Sequence, residues 1–308
     1  HEITFLTRLV DGCSDLSQQE LLRCLRRHFP KLKKVDLDKI VAFQVENPKS
    51  DEKWTRHPVV LILDREIQKL PWEALPILSG QPISRVPSVP FLCALYEVHR
   101  SNEASVIRSS FKDENMFFVL NPDQNLIKTQ ERLEPAFQEM RMKGIVGQKP
   151  SLGQLQKALS EHDAYIYCGH GTGSKYLSGQ EIERLTVRAV PLLFGCRSGS
   201  LVRLGRNLDP LGLAQSYLIA NAPCLLGFLW SVTDRDLDQW TLGFLQYWLA
   251  KSSDDDDSKT KDKSTTTENT TELPDFVRAV SVRRGSFQRL INRAAAVVYG
   301  LPASNIKY

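Results

Sequence analysis

The sequence predicts an α/β fold in which a mainly parallel sheet is covered by helices on both faces. Between positions 113 and 250, short apolar runs alternate with segments that repeat apolar residues at helical spacing. The short runs are rich in β-branched and aromatic residues and end at turn residues, which is typical of buried strands. Because parallel strands need a crossover between them, this alternation indicates a parallel sheet with both faces covered.

The composition is that of a globular protein and excludes several classes. The 308 residues are 42% hydrophobic and 25% charged, which is ordinary. A net charge of +4 does not indicate direct nucleic-acid binding, and no apolar run reaches the ~18 residues that a membrane span needs. The six cysteines contain no CxxC pair, so we expect reduced intracellular thiols and no metal site. No organic cofactor is expected either.

The first part of the chain is expected to be helical before the sheet begins. Leucines between positions 16 and 25 and apolar residues at 40–45 recur at helical spacing. Residues 59–63 are predicted to form a buried strand, residues 70–76 a turn or short helix, and residues 87–98 a helix.

The second part supplies most of the predicted elements. The predicted strands are 116–120, 164–168, 190–194 and 224–232. The predicted helices are 128–141, 152–162, 209–222, 234–250 and a last one over 287–299 that stops at Gly300. Residues 251–272 contain no apolar side chain, so we expect a disordered loop.

Two predicted strands lead into a reactive side chain. Each of the strands 164–168 and 190–194 runs into a glycine, and the next residues are His170 and Cys196. Because the carboxyl ends of parallel strands meet at one edge of a sheet, we expect the imidazole and the thiol to lie close together. Taken singly, a strand cysteine is commonly a core residue. The matched pair favours His170 as a general base and Cys196 as a nucleophile.

Glycines around this pair are expected to shape the site. The N–H groups of Gly171 and Cys196 are candidates for an oxyanion hole, in which one donor is typically worth ~3 kcal/mol. Gly169 and Gly195 lack a Cβ and are expected to let the two backbones approach. Cys168 lies beside the predicted base, but strand alternation points it away into the core.

A third cluster follows the strand 224–232. It contains Trp230 and, at the start of a predicted helix, Asp234 and Asp236. Acidic residues at a helix start are often only caps that interact with the helix dipole. The other interpretation places one carboxylate beside Trp230 in a pocket that binds an arginine side chain bidentately.

Basic residues outnumber acidic ones between positions 170 and 210. The basic residues are Lys175, Arg184, Arg188, Arg197, Arg203 and Arg206, against Glu181, Glu183 and Asp209. Such a group is commonly a solvated face, and the alternative is an exosite for a carboxylate or phosphate.

Taken together, these motifs resemble those of the separase family. They are HGTGSKYL at 170–177, LFGC at 193–196, LWSVTDRD at 229–236, LPWE at 70–73 and YGLP at 299–302. The resemblance runs from about residue 56 to the end, apart from residues 251–272. Short motifs of this kind also occur in the wider caspase-like clan, but the combination is specific to separase.

The resemblance implies a caspase-like fold and a cysteine endopeptidase with a His170–Cys196 dyad. Separase cleaves the kleisin subunit of cohesin after an arginine at anaphase onset, and securin inhibits it by occupying the cleft as a pseudosubstrate. The family's arginine-binding acid falls on Asp234 or Asp236, next to Trp230. Arg197, a further candidate for substrate contact, departs from the family, in which a small residue usually follows the cysteine.

The resemblance also implies a domain organisation and a setting. Residues 1–112 are expected to form a helical and pseudo-protease-like subdomain, and residues 113–308 the catalytic domain. An upstream helical-repeat region of the same chain agrees with a start at His1, and the expected location is the cytoplasm and nucleus, on spindle and chromosomes in mitosis. Two alternatives remain: another arginine-specific caspase-like protease of metacaspase type, and a non-catalytic securin-binding module.

Overall fold

The chain divides into two compact units, His1–Arg56 and His57–Tyr308. The computed structural model describes residues 18–28, 33–46, 58–78, 80–107, 113–202, 205, 210–249, 276–287 and 289–302. The first unit contains the helices Gln18–His28 and Lys34–Glu46. Both lie where helical spacing of apolar residues predicts them, and each buries a leucine, Leu25 in the first and Leu37 in the second.

The second unit is built on one eight-stranded sheet in the order β1-β2-β8-β7-β6-β5-β3-β4. The strands are β1 Val59–Ile62, β2 Ile83–Val86, β3 Met116–Leu120, β4 Lys143–Val146, β5 Ala164–Cys168, β6 Val190–Phe194, β7 Cys224–Phe228 and β8 Ala296–Gly300. All neighbouring strands are parallel except β7 and β8, which are antiparallel. The predicted α/β fold with a mainly parallel sheet is confirmed.

Helices cover both faces of this sheet and bury two separate apolar cores. Ile127–Glu139, Asp234–Trp248 and Phe276–Arg284 pack on one face, and Val89–Ser101, Leu152–Glu161 and Leu213–Ile219 on the other. Short helices at Trp72–Ala74, Asp113–Asn115, Gly179–Ile182 and Leu290–Arg293 complete the unit. Because β5, β6 and β7 are buried along their whole length, they read in the sequence as continuous apolar runs.

The central strands are in a register that aligns their carboxyl ends. Cys168, the last residue of β5, pairs with Phe194, the last residue of β6. Leu120 at the end of β3 pairs with Cys168 in turn. The residues that follow β5 and β6 therefore leave the sheet side by side at one edge. Cys168 and Cys224 are both buried, which confirms them as core residues.

The predicted helix over 287–299 is wrong. A short helix covers Leu290–Arg293, and the chain then forms β8, which pairs with β7 from Cys224↔Gly300 to Phe228↔Ala296. The segment from Ala295 to Tyr299 is buried, with two adjacent valines that suit a strand. Pairing with a strand distant in sequence overrides the helical preference of its alanines.

Several other boundaries differ from the prediction. The strand predicted over 224–232 ends at Phe228, and the helix predicted over 209–222 begins at Leu213. The strands β2 and β4 and the helix Phe276–Arg284 were not predicted from the pattern. The predicted loop 251–272 lies outside the described residues.

The predicted domain boundary near residue 112 stays a prediction. β1 and β2, which precede it, belong to the same sheet as the strands that follow it. Within the described parts of the chain, no helix is both long enough and apolar enough to cross a membrane.

Candidate active site

The loops that follow β5 and β6 touch each other at their glycines. A Cβ placed on Gly195 would lie 1.9 Å from the carbonyl oxygen of Gly171 and 2.9 Å from that of Gly169. Gly169 and Gly171 flank His170 on one loop, and Gly195 precedes Cys196 on the other. The predicted base and nucleophile therefore come from two backbones that are in contact, which is the close approach expected of a missing Cβ at position 195.

The amides expected to form an oxyanion hole lie at this junction. Gly171 has φ +66°, a left-handed conformation that glycine adopts without steric cost. Among the described residues, neither the N–H of Gly171 nor that of Cys196 donates a hydrogen bond to another part of the chain. Both donors are thus available to an oxygen atom in the cleft.

Tyr167 supports the loop that carries His170, and the sequence interpretation missed it. Its hydroxyl donates a hydrogen bond of 2.8 Å to the carbonyl oxygen of His170. The same hydroxyl fills the space beside Gly169, where a Cβ would lie 2.6 Å from it, so that glycine makes room for a side chain rather than for backbone. Burial raises the pKa of Tyr167 well above its ordinary value, so the hydroxyl stays a donor.

Cys196 is half-buried at the start of a tight turn. Its Sγ lies 3.7 Å from the carbonyl oxygen of Val232, to which the thiol donates. The next residue, Arg197, is exposed and has φ +62°. A residue with a Cβ costs roughly 1–2 kcal/mol in this left-handed conformation, a strain that glycine avoids.

Hydrogen bonds from three directions hold the turn in place. The Ser198 hydroxyl donates to the carbonyl of Leu193 at 2.6 Å and accepts from the N–H of Phe228 at 3.1 Å. The hydroxyl of Tyr299, on β8, donates to the carbonyl of Gly199 at 2.8 Å. The turn is therefore fixed to β6, β7 and β8, so that Cys196 sits on rigid elements.

The third predicted cluster is assembled around the short helix Leu290–Arg293. The indole N–H of Trp230 donates to the carbonyl of Ile291 at 3.0 Å, and the side-chain amide of Asn292 donates to Asp236 Oδ2 at 2.6 Å. Asp234 is exposed at the first position of its helix. Trp230 and Asp236 are thus fixed by one segment, while Asp234 faces solvent.

A third carboxylate of the same helix is buried and bonded to other side chains of the protein. Asp238 is 3% exposed, and its Oδ2 accepts from Arg132 at 2.7 Å and from the Thr129 hydroxyl at 3.0 Å. Burial raises its pKa despite these donors. Asp238 joins two helices on one face of the sheet and is not available to a ligand.

A cavity of ≈ 730 Å³ is lined in part by Trp230. Arg284 lines it and is 5% exposed; its Nη2 is bonded to the carbonyl of Ala296, and among the described residues its Nε and Nη1 have no partner. Glu73, also on this wall, forms a buried pair with Arg85. Burial lowers the pKa of Arg284.

The basic group between positions 170 and 210 is partly neutralised. Lys175 pairs with Asp123, and Arg188 pairs with Asp163. Arg184 and Arg197 are exposed. The exosite stays a prediction, and Arg203, Arg206 and Asp209 lie outside the described residues.

Comparison with known proteins gives consistent results. The sequence model of a family described as "Separin, protease domain" matches residues 18–237. A separin of Mus musculus is 41% identical over 247 residues, covering 80% of this chain and 11% of the relative. A separin of Schizosaccharomyces pombe is 33% identical over 273 residues, covering 87% of this chain and 14% of the relative.

Solved structures agree with the sequence relatives. A crystal structure of the separase–securin complex of Saccharomyces cerevisiae aligns with a TM-score of 0.70 and 26% identity. The alignment covers 89% of this chain and 17% of the yeast chain. The chain thus spans between a tenth and a fifth of the proteins it matches, and its mostly parallel sheet with flanking helices is the caspase-like α/β fold.

Proposed function

The chain belongs to the separin family and carries its protease domain, and from this premise we propose that it is a cysteine endopeptidase with Cys196 as nucleophile and His170 as general base. The observation that carries the proposal is the contact between the two loops at Gly195 and Gly171. It brings the loops that carry His170 and Cys196, which follow β5 and β6, together at one edge of the sheet.

The proposed reaction begins with proton transfer. His170 takes the thiol proton of Cys196, which otherwise rests against the Val232 carbonyl, and the thiolate attacks the carbonyl carbon of the scissile bond. The N–H groups of Gly171 and Cys196 stabilise the resulting oxyanion. His170 returns the proton to the leaving amine, and a thioester remains. Water then attacks the thioester with His170 as base, which frees the acid product and the thiol.

Arginine before the cut is the proposed specificity. The support is that the half-buried Trp230 and Asp236 bond to the adjacent residues Ile291 and Asn292, with Asp234 on the same helix turn as Asp236. Asp236 has one oxygen bonded to Asn292, which leaves its other oxygen for a guanidinium, whereas Asp234 is solvated. An aromatic wall and a carboxylate together suit a planar guanidinium. Arg197, exposed beside Cys196, is a proposed further substrate contact.

Cleavage of the kleisin subunit of cohesin and inhibition by securin are proposals of the same kind. They are supported by the family and by the partner present in the yeast complex. We place the protein in the cytoplasm and nucleus, on spindle and chromosomes in mitosis, and we expect an upstream helical-repeat region of the same chain to act with it. The short span of the relatives that this chain covers agrees with such a region.

The experiment that tests the catalytic assignment compares Cys196→Ser with Cys93→Ser. Cys93 is an exposed cysteine on the helix Val89–Ser101 and serves as the matched control. We expect Cys196→Ser to lose cleavage of an arginyl peptide while keeping its melting temperature, and Cys93→Ser to keep both. Cleavage by Cys196→Ser at the rate of the parent would exclude the proposed nucleophile. Labelling by an arginyl electrophile at position 196, and not at 93, would exclude a non-catalytic module.

The specificity pocket has its own test. We expect Asp234→Asn or Asp236→Asn to reduce the preference for arginine over glutamine at the cut by about 100-fold, since a charge-assisted pair with the guanidinium is lost. If both variants still cut only after arginine, the pocket lies elsewhere. A peptide library with the upstream residues varied separates a separase-type preference from that of a metacaspase-type enzyme.

A further inference from the structure

A second groove lies next to Cys196, on the sheet face that bears the helix Leu213–Ile219. Its volume is ≈ 740 Å³, and Cys196 and Gly171 form one wall. The opposite wall is the helix Leu213–Ile219 with the residues just before it. A groove that starts at the nucleophile and the proposed oxyanion hole is in the path of any peptide that lies across the site.

Three aliphatic side chains are exposed in this groove. Val202, Leu211 and Ile219 have 54%, 49% and 51% of their surface accessible. Val202 and Leu211 are held side by side, because each donates its N–H to the other's carbonyl at 2.7 and 2.9 Å. Clustered apolar surface in a cleft marks a binding site more often than isolated exposed residues do.

The polar side chains of the same wall are already bonded to the protein. Gln215 accepts from the N–H of Gly212 at 2.7 Å and donates to the carbonyl of Pro210. The Ser216 hydroxyl donates to Glu183 at 2.7 Å. Since the hydrogen-bonding groups of Gln215 and Ser216 are satisfied within the protein, a ligand gains little from them. Apolar contacts with the aliphatic side chains are the main interactions that this wall can make with a ligand.

The groove is bordered by a helix on one face of the sheet, and the proposed arginine-binding carboxylates lie on a helix of the other face. The helix that bears Asp234 and Asp236 packs on the sheet face that contains Phe194. The helix Leu213–Ile219 packs on the other face, with Leu193 and Tyr167. A peptide whose arginine reaches Asp234 or Asp236 on one face can therefore place the residues that follow the cut in this groove on the other.

From this arrangement we infer that the groove is the subsite for the product side of the substrate and that it selects an aliphatic residue there. The inference rests on the proposed function and names a specificity for the same site. An extended peptide advances ~3.3 Å per residue, so its first three residues after the cut span about 10 Å of the groove that Val202, Leu211 and Ile219 line. These three side chains are the proposed specificity determinants.

The test uses internally quenched peptides that keep residues on both sides of the arginine. Leucine or serine is placed at each of the first three positions after the cut. We expect a kcat/KM ratio of leucine over serine of about tenfold at one of these positions, which is ordinary for an apolar pocket. A ratio within twofold at all three positions overturns the inference, as does an aliphatic preference found only before the arginine.

Variants then locate the preference. Leu211→Asn and Ile219→Asn should each reduce the leucine-over-serine ratio by about threefold or more. Leu152→Asn and Ile77→Asn change exposed residues of the same types that do not line the groove, and they should leave the ratio unchanged. A ratio that survives both groove variants contradicts the assignment. The readout is a ratio between two peptides, so a general loss of stability does not change it.

Failure of this inference is distinguishable from failure of the proposed function. An arginyl peptide with a coumarin leaving group has no residues after the cut and reports only on Cys196 and the arginine pocket. If the parent protein cleaves it and Cys196→Ser does not, the proposed function stands whatever the quenched peptides show.

Discussion

Gly195→Ala tests whether the contact between the two loops is required for activity. The new Cβ would lie 1.9 Å from the Gly171 oxygen, whereas real Cβ atoms essentially never come closer than 3.0 Å to a heavy atom. The loops must therefore separate by at least about 1.1 Å, the difference between these distances. The clashing atom belongs to backbone, so no side-chain rotation can relieve it. A displacement of ~1 Å between catalytic groups commonly costs about 100-fold in rate.

We expect Gly195→Ala to lower kcat/KM for an arginyl peptide by about 100-fold and to lower the unfolding free energy by about 1–3 kcal/mol. Activity is followed with a fluorogenic peptide and stability by urea titration. Gly153→Ala is the control, because a Cβ at Gly153 meets nothing within 4 Å, and a helix gains stability from alanine. Parent-like kcat/KM in Gly195→Ala would refute the reasoning that this contact aligns the site.

Three further outcomes follow from the same region. Tyr167→Phe removes the hydrogen bond to the carbonyl of His170, and we expect a loss of about 1 kcal/mol in urea titration and a lower kcat/KM. Arg197→Gly should raise the unfolding free energy by about 0.5 kcal/mol, since relief of the left-handed strain exceeds the entropy cost of glycine; no gain would contradict the strain. Burial raises the pKa of Tyr299 to about 12, so the fold retains this proton more tightly than the unfolded chain. The stabilisation that the protonated Tyr299 gives the fold is complete below pH ~10 and is lost as the pH rises toward 12. Tyr299→Phe should therefore reduce the change of unfolding free energy with pH between pH ~10 and 12.

The sequence predicted the central strands because their environment is uniform. β3, β5 and β6 were predicted with their observed bounds, since strands buried on both faces give continuous apolar runs that stop at turn residues. β4 escaped prediction because it has four residues, two of them exposed. β8 was mistaken for a helix because its partner strand is some seventy positions earlier in the chain, and local spacing carries no information about that pairing.

In the candidate site too, the residues in a local sequence pattern could be predicted, and those that act through contacts between loops could not. The His170 and Cys196 pair could be predicted because each follows a strand and a glycine, a local pattern. The supporting roles of Tyr167 and Ser198 depend on hydrogen bonds between loops, which a local pattern does not encode. One signal for Tyr167 was present: alternation places it on the strand face opposite the core residue Cys168. The choice between Asp234 and Asp236 stays open because both lie on one helix turn.

The position of β8 has a consequence for biosynthesis. Among the strands that the structure describes, β1 and β2 join the others only through β8, the last of them in chain order. A ribosome must therefore release almost the entire domain before the sheet can close. Until Ala296–Gly300 emerges, β2 and β7 each present an open edge, which is a template for pairing with other chains. We expect those two edges to be exposed during synthesis, and a chain truncated before Ala296 lacks the strand that joins β2 to β7.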